Sequence, residues 1–168
     1  MKNYTDQEDY ISLVEDILNL EDFQKLGDII HHENNRLDHS LRVSYYSYKI
    51  SKALTLDYKK VARAALLHDF FFEENDGQNK KTKFKTLMNH PKYALENSKK
   101  YFELSDMESD IIRTHMFPVG PSVPKYIESW LVDIIDDIVS IAERTYAIRH
   151  QLSAAMSFMF VCTINYLR

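Results

Sequence analysis

The stretch Ala64-Ala65-Leu66-Leu67-His68-Asp69 decides how the chain is read. It is an apolar helical run that ends abruptly in an imidazole beside a carboxylate. At the end of a helix both groups can turn inward and bind one divalent metal ion or a pair. A His-Asp dipeptide proves little by itself, because two-residue matches are common by chance. It gains weight from His39, His90, His115 and Asp136, which together with the pair supply enough nitrogen and oxygen ligands for two metal ions.

Outward from that stretch, the chain is built to be helical. Its 168 residues, 45% of them hydrophobic, can bury one sizeable core and do not need two, so residues 1–168 read as one domain. Three glycines and four prolines leave little material for hairpins or sandwiches. The expected class is all-α, a single helical domain of about seven or eight helices. The lone cysteine, Cys162, excludes an intramolecular disulfide and reads as a small buried hydrophobe in a reducing compartment, with cytoplasm the expected location. Asp6, Glu8 and Asp9 follow Lys2 without an apolar run, so no signal peptide is expected. A formal charge of -4 gives no general attraction to phosphate backbones; a stable nucleic-acid complex is not expected, whereas a small phosphorylated ligand is compatible.

In chain order, Thr5-Asp6-Gln7-Glu8 has the pattern of a capping box, and Tyr10, Ile11, Val14, Ile17 and Leu18 follow at helical spacing to about Leu20. A short helix is expected over Phe23 to Ile30, ending at His31 and His32, which read as solvated turn residues. The next helix opens near Leu37 or Asp38 and places His39 on a buried stripe with Val43, Tyr46, Ile50 and Ala53. A core histidine satisfied by hydrogen bonds is the commoner fate of such a residue. Asp57 caps the helix whose inward face is Val61, Ala64, Ala65 and His68. Glu73 to Lys85 reads as a polar loop carrying Lys80, Lys81, Lys83 and Lys85. His90 precedes Pro91, which suits a first helical turn, so His90 is expected to cap a helix running toward Phe102. Ser105-Asp106-Met107-Glu108 is a second capping box, opening a helix with Ile111, Ile112 and His115. Pro118, Gly120, Pro121 and Pro124 then break the chain.

A long helix follows from about Tyr126 to Ile148, with Ile127, Leu131, Ile134, Ile138 and Ile141 as its regular stripe. At ~100° per residue, Asp137 borders this stripe and Asp136 falls nearly opposite, so periodicity favours Asp137 as the inward carboxylate. Trp130, Val132, Ile135 and Val139 broaden the apolar arc, which leaves the choice open. Leu152 to Leu167 is apolar but shorter than the ~20 residues of a membrane span, and reads as a separate packing helix at which two copies of the chain can meet in a homodimer.

The ordered set His39, His68-Asp69, His90, His115 and a late aspartate resembles the HD-domain superfamily of metal-dependent phosphohydrolases, over about Leu37 to Glu143. The wording of "DHSLRV", "ALLHDFF", "HPKYALENSKKYF", "HMFP" and "ESWLV" is similar to a bacterial subgroup of it, and the last of these places the aspartate at Asp136, against the periodicity. The resemblance implies one or two divalent ions (iron, manganese, zinc, nickel or magnesium), with Asp69 bridging, His39, His68 and Asp136 on one side and His90 and His115 on the other. It implies hydrolysis of a phosphoester, a nucleotide or related small metabolite, by a metal-activated water next to Asp69. Two other readings share the ligand set: a di-iron oxygenase, and a non-catalytic helical module that binds a partner. The chain departs from the family where Phe70-Phe71 follow the pair in place of Ile-Gly-Lys, which leaves Arg42 and Arg113 as the candidate anion contacts.

Overall fold

The structure is a computed structural model that describes residues 2–31, 34–72 and 80–166. It comprises α1 (Lys2–Leu18), α2 (Glu21–Gln24), a 3-10 turn (Lys25–Asp28), β1 (Ile30–His31), β2 (Asn34–Asn35), α3 (Arg36–Ala53), α4 (Tyr58–Leu67), α5 (Lys80–Ser98), α6 (Asp106–Thr114) and α7 (Ile127–Tyr166). The expected all-α class holds. Among the described residues the β structure is one antiparallel pairing, Ile30 with Asn35 and His31 with Asn34.

α4 is the hub. Its apolar residues are small or compact, and Val61, Ala62, Ala64, Ala65, Leu66 and Leu67 are all fully buried. The alanines let neighbouring helices approach, and α4 packs against α1, α3 and α6 while α3 and α6 both meet α7. Truncating Leu66 or Leu67 to alanine in such a site costs about 2–5 kcal/mol. Polar ties fix the register. The Tyr10 hydroxyl donates to Ser44 Oγ at 2.8 Å, and Ser44 Oγ donates to the Ala62 carbonyl at 2.6 Å, joining α1, α3 and α4. Arg63 on α4 pairs with both carboxylate oxygens of Asp16 on α1, at 2.6 and 2.7 Å.

Helix starts follow cap chemistry. The Asp38 amide donates to the Asn35 side chain at 2.7 Å, which starts α3 at Arg36, and the Lys60 amide donates to Asp57 at 3.3 Å. At α6 both halves of the Ser105/Glu108 capping box are present, the Glu108 amide on Ser105 Oγ at 3.4 Å and the Ser105 amide on Glu108 Oε2 at 2.9 Å.

Several expectations are corrected. α1 begins at Lys2, so Thr5 lies inside the helix and does not cap it. The short helix expected over Phe23 to Ile30 is α2 plus the 3-10 turn, with Ile30 already extended. Residues 80–85 belong to α5 rather than to a loop, while 73–79 and His32 lie outside the described residues. The two helices expected after Tyr126 are one, since no glycine or proline stands between Ile148 and Leu152 to end α7. The Cys162 side chain lies outside what is described.

The largest correction concerns which face of α7 is buried. Ile127, Ile134, Ile138 and Ile141 are 64%, 53%, 58% and 65% exposed. The inward face carries Val132, Ile135 and Val139 together with Glu128, Ser129, Asp133, Asp136 and Glu143. Ser129, Asp133, Asp136 and Glu143 can be buried because they are paired. Ser129 donates to Asp110 at 2.7 Å, and Asp133 accepts the Phe117 amide at 3.0 Å. Among the described residues no helix is long and apolar enough to cross a membrane.

Candidate metal centre

Five elements bring the six singled-out residues together. His39 stands one turn into α3, His68 and Asp69 follow the end of α4, His90 lies on α5, His115 ends α6, and Asp136 is on the inward face of α7. All six are buried. Their ligand atoms form three overlapping groups, His39/His68/Asp69, His68/His115/Asp136 and Asp69/His90/His115, each with its atoms within 4.8 Å of one another.

The hydrogen bonds on the far side of each ring set its tautomer. A carbonyl can only accept, so His68 Nδ1–H donates to the Ala65 carbonyl at 2.7 Å and His115 Nδ1–H donates to the Ile112 carbonyl at 2.9 Å. Each Nε2 is thereby left as a lone pair facing the other ligands. His39 Nδ1–H donates to Glu143 Oε2 at 3.1 Å, and its Nε2 lies 2.9 Å from Asp136 Oδ1. Asp69 spans the cluster, with Oδ2 3.8 Å from His68 Nε2 and Oδ1 3.2 Å from His90 Nε2 and 3.8 Å from His115 Nε2.

This donor set fits a cation. Asp69 Oδ1 is buried and accepts no aligned hydrogen bond although three imidazoles surround the carboxylate. Two Nε2 atoms, of His90 and His115, face each other at 2.8 Å, a contact that needs a proton or a metal between the lone pairs. Electrostatics repeat the point. Burial works against a charged His39, but the hydrogen bonds to Asp136 and Glu143 push the ring up to about 10. Burial first, then the neighbouring His90 and His68, push His115 down to about 3. Burial would raise Asp69 and Asp136, yet the surrounding imidazoles, His68 foremost, hold both carboxyls below their usual range. The acids are ionised and convergent, which is what a hard or borderline divalent ion requires.

The structure brings Asp136 and not Asp137 into this cluster. Asp136 Oδ1 is also 3.7 Å from His68 Nε2, whereas Asp137 is exposed on the outer face. Periodicity favours Asp137 only if the isoleucine stripe faces the core, and in the structure that stripe points outward. His90 is likewise not a helix cap. α5 begins ten residues before it, and Pro91, which has no N–H to donate, lies inside the helix. His90 reaches the cluster from mid-helix, stacked on the Phe71 ring at 5.0 Å.

Two contributors were not singled out from the sequence. Glu143 joins His39 to Arg42, whose guanidinium donates to Glu143 Oε1 at 2.6 Å, so Arg42 is engaged in orienting His39 rather than poised as an anion contact. The available signal was spacing: Glu143 is two turns beyond Asp136 on one face of α7. Arg36, buried at 3% exposure, lies 3.9 Å over the Phe71 ring and donates to the Phe71 carbonyl at 2.7 Å, which fixes the ring that stacks on His90. Arg113, the other anion candidate, is exposed and lines a surface groove of about 370 Å³ with Lys92, Lys99 and Ser122.

A family model for the HD domain matches residues 36–140, and the chain belongs to that family, a superfamily of metal-dependent hydrolases. The match opens at the start of α3 and closes just beyond Asp136, enclosing all six residues of the cluster. No curated protein and no solved structure matches the chain significantly.

Proposed function

We propose that the protein hydrolyses the phosphoester of a small phosphorylated substrate, a nucleotide or related metabolite, at a centre of two divalent ions. The observation that carries this is the Asp69 carboxylate, whose two oxygens face different imidazoles, Oδ2 toward His68 and Oδ1 toward His90 and His115. Divalent ions would be held there by Asp69 together with His39, His68 and Asp136 on one side and His90 and His115 on the other. Ions held there would supply Lewis acidity to a phosphoryl oxygen and bring the pKa of a bound water down toward neutrality.

The chain's own groups do the rest. His68 and His115 are locked by backbone carbonyls, so their Nε2 atoms need no reorganisation to bind. Glu143 and Arg42 hold His39 in the same way. Asp69 is held ionised and would accept a hydrogen bond from a metal-bound water, orienting it. Phe71, fixed by Arg36, walls the His90 side and keeps bulk water from that edge.

The cluster's chemistry also suits iron, which leaves the di-iron oxygenase reading distinguishable only by assay. The test is to load purified protein separately with manganese, iron, zinc, nickel and magnesium and to present a phosphoester panel. Phosphate release with at least one metal, abolished in Asp69→Ala, is the expected result. Oxygen consumption with iron and no phosphate release would replace hydrolysis by oxygenation, and neither activity with any loaded metal would favour the non-catalytic module.

A further inference from the structure

We propose that the outward stripe of α7 is the surface through which two copies of this chain pair, with the two α7 helices antiparallel. Single exposed apolar side chains need no explanation, but a contiguous row does. Ile127, Ile134, Ile138, Ile141 and Ile148 are 64%, 53%, 58%, 65% and 57% exposed, and they line up along roughly 30 Å of helix. With Leu131 between the first two, the spacing alternates four and three, and Thr145 is the single polar residue at a stripe position up to Ile148. That is the seam of a coiled coil, in which the partner presents the same repeat. The spacing persists in the sequence through Leu152, Ala155 and Met159.

Three observations commit the occupant to a second copy. First, the stripe as described offers on the order of 500 Å² per copy, so two copies would bury on the order of 1,000 Å² together, the lower bound of a specific interface. Second, α7 holds its own body with the opposite face, through Val132, Ile135, Asp136, Val139 and Glu143, so two bodies can sit on the outer sides of a central helix pair without meeting. Third, the charges flanking the seam suit only one orientation. Asp137 and Arg144 border the stripe on the same edge, one heptad apart. Antiparallel pairing centred between them sets Asp137 against Arg144 of the second copy twice by symmetry, and stacks Ile138 on Ile141 across the axis. A parallel pair would set Arg144 against Arg149 of its partner twice. The pairing does not depend on the chemistry of the metal centre, so the two proposals stand or fall separately.

The test uses the full chain in light scattering and sedimentation over a concentration series. The parent should run at twice the chain mass, and Ile138→Lys with Ile141→Lys should be monomeric with unchanged helical circular dichroism and metal content. Asp137→Arg alone and Arg144→Asp alone should each weaken dimerisation roughly tenfold, since each replaces two attractive contacts by two repulsive ones. The combined Asp137→Arg/Arg144→Asp variant should recover the parent affinity, which also guards against a lysine variant that misfolds. A parent that stays monomeric at all concentrations, or a dimer indifferent to the lysine variant, would overturn the proposal. A dimer strengthened by Arg144→Asp alone would overturn the antiparallel arrangement.

Discussion

Metal binding should release a proton from His39 at neutral pH. In the metal-free protein its Nδ1–H points at Glu143 and its Nε2 faces Asp136 at 2.9 Å, so a second proton on Nε2 joins the two acids. Burial opposes that charge, but the hydrogen bonds to Asp136 and Glu143, reinforced by the charge of Asp69, raise the ring from 6.5 to about 10. A metal ion needs the same lone pair. The other shifted groups demand nothing: His115 is pushed down to about 3 and is already neutral, while Asp69 and Asp136 are already ionised. Apparent affinity should therefore rise about tenfold per pH unit from neutrality to pH ~10, and be roughly a thousandfold weaker at pH 7 than at the plateau, about 4 kcal/mol. The metal-free fold behaves oppositely. A raised His39 contributes stability that is full below pH 6.5 and is lost as pH climbs through about 10, so the melting temperature without metal should fall across that window. Calorimetric titration with Mn²⁺ or Zn²⁺ in buffers of different ionisation enthalpy measures the proton count directly. Affinity independent of pH, with no proton released, would refute the assignment of His39 as a protonated ligand.

The remaining expectations address the cluster residue by residue. His68→Ala and Asp69→Ala should each remove bound metal and phosphoester hydrolysis while leaving circular dichroism largely unchanged, because both lie beyond the last residue of α4; full metal content with full activity in either would contradict the site. Asp136→Ala should weaken metal binding far more than Asp137→Ala, read as metal retained after dialysis, and the reverse order would return the ligand role to Asp137. Glu143→Ala should weaken metal affinity by about 10–100-fold, with Glu143→Gln at the low end since an amide oxygen can still accept from His39 Nδ1, and a chelator competition with equal constants for all three proteins would deny Glu143 its orienting role.

What the sequence disclosed and what it withheld have physical causes. Caps were legible where a side chain does the capping, as at Asp57 and Ser105, because those bonds are local. Helix content followed from the shortage of glycine and proline. The histidines were legible as a set, since a buried imidazole is tolerable only with a partner. The orientation of α7 was not, because an apolar stripe ordinarily faces the core, whereas here the core side is a row of acids with Ser129, satisfied by Asp110, the Phe117 amide, His39 and Arg42, all distant in sequence. Pro91 misled for a related reason. Its preference for a first turn is a local tendency, and tertiary packing of α5 on α6, which joins His90 to His115, outweighs one missing backbone hydrogen bond. Glu143 and Arg36 were hidden because their roles exist only through the residues they touch.

The central claim is a two-ion centre built from His39, His68, Asp69, His90, His115 and Asp136, and metal stoichiometry per chain tests it most directly. Protein saturated with metal and freed of excess should hold two equivalents, and the His90→Ala/His115→Ala variant should hold one, because His39, His68, Asp69 and Asp136 remain to bind it. One equivalent in both proteins would contradict the two-ion account and reduce His90 and His115 to structural or substrate-contacting residues.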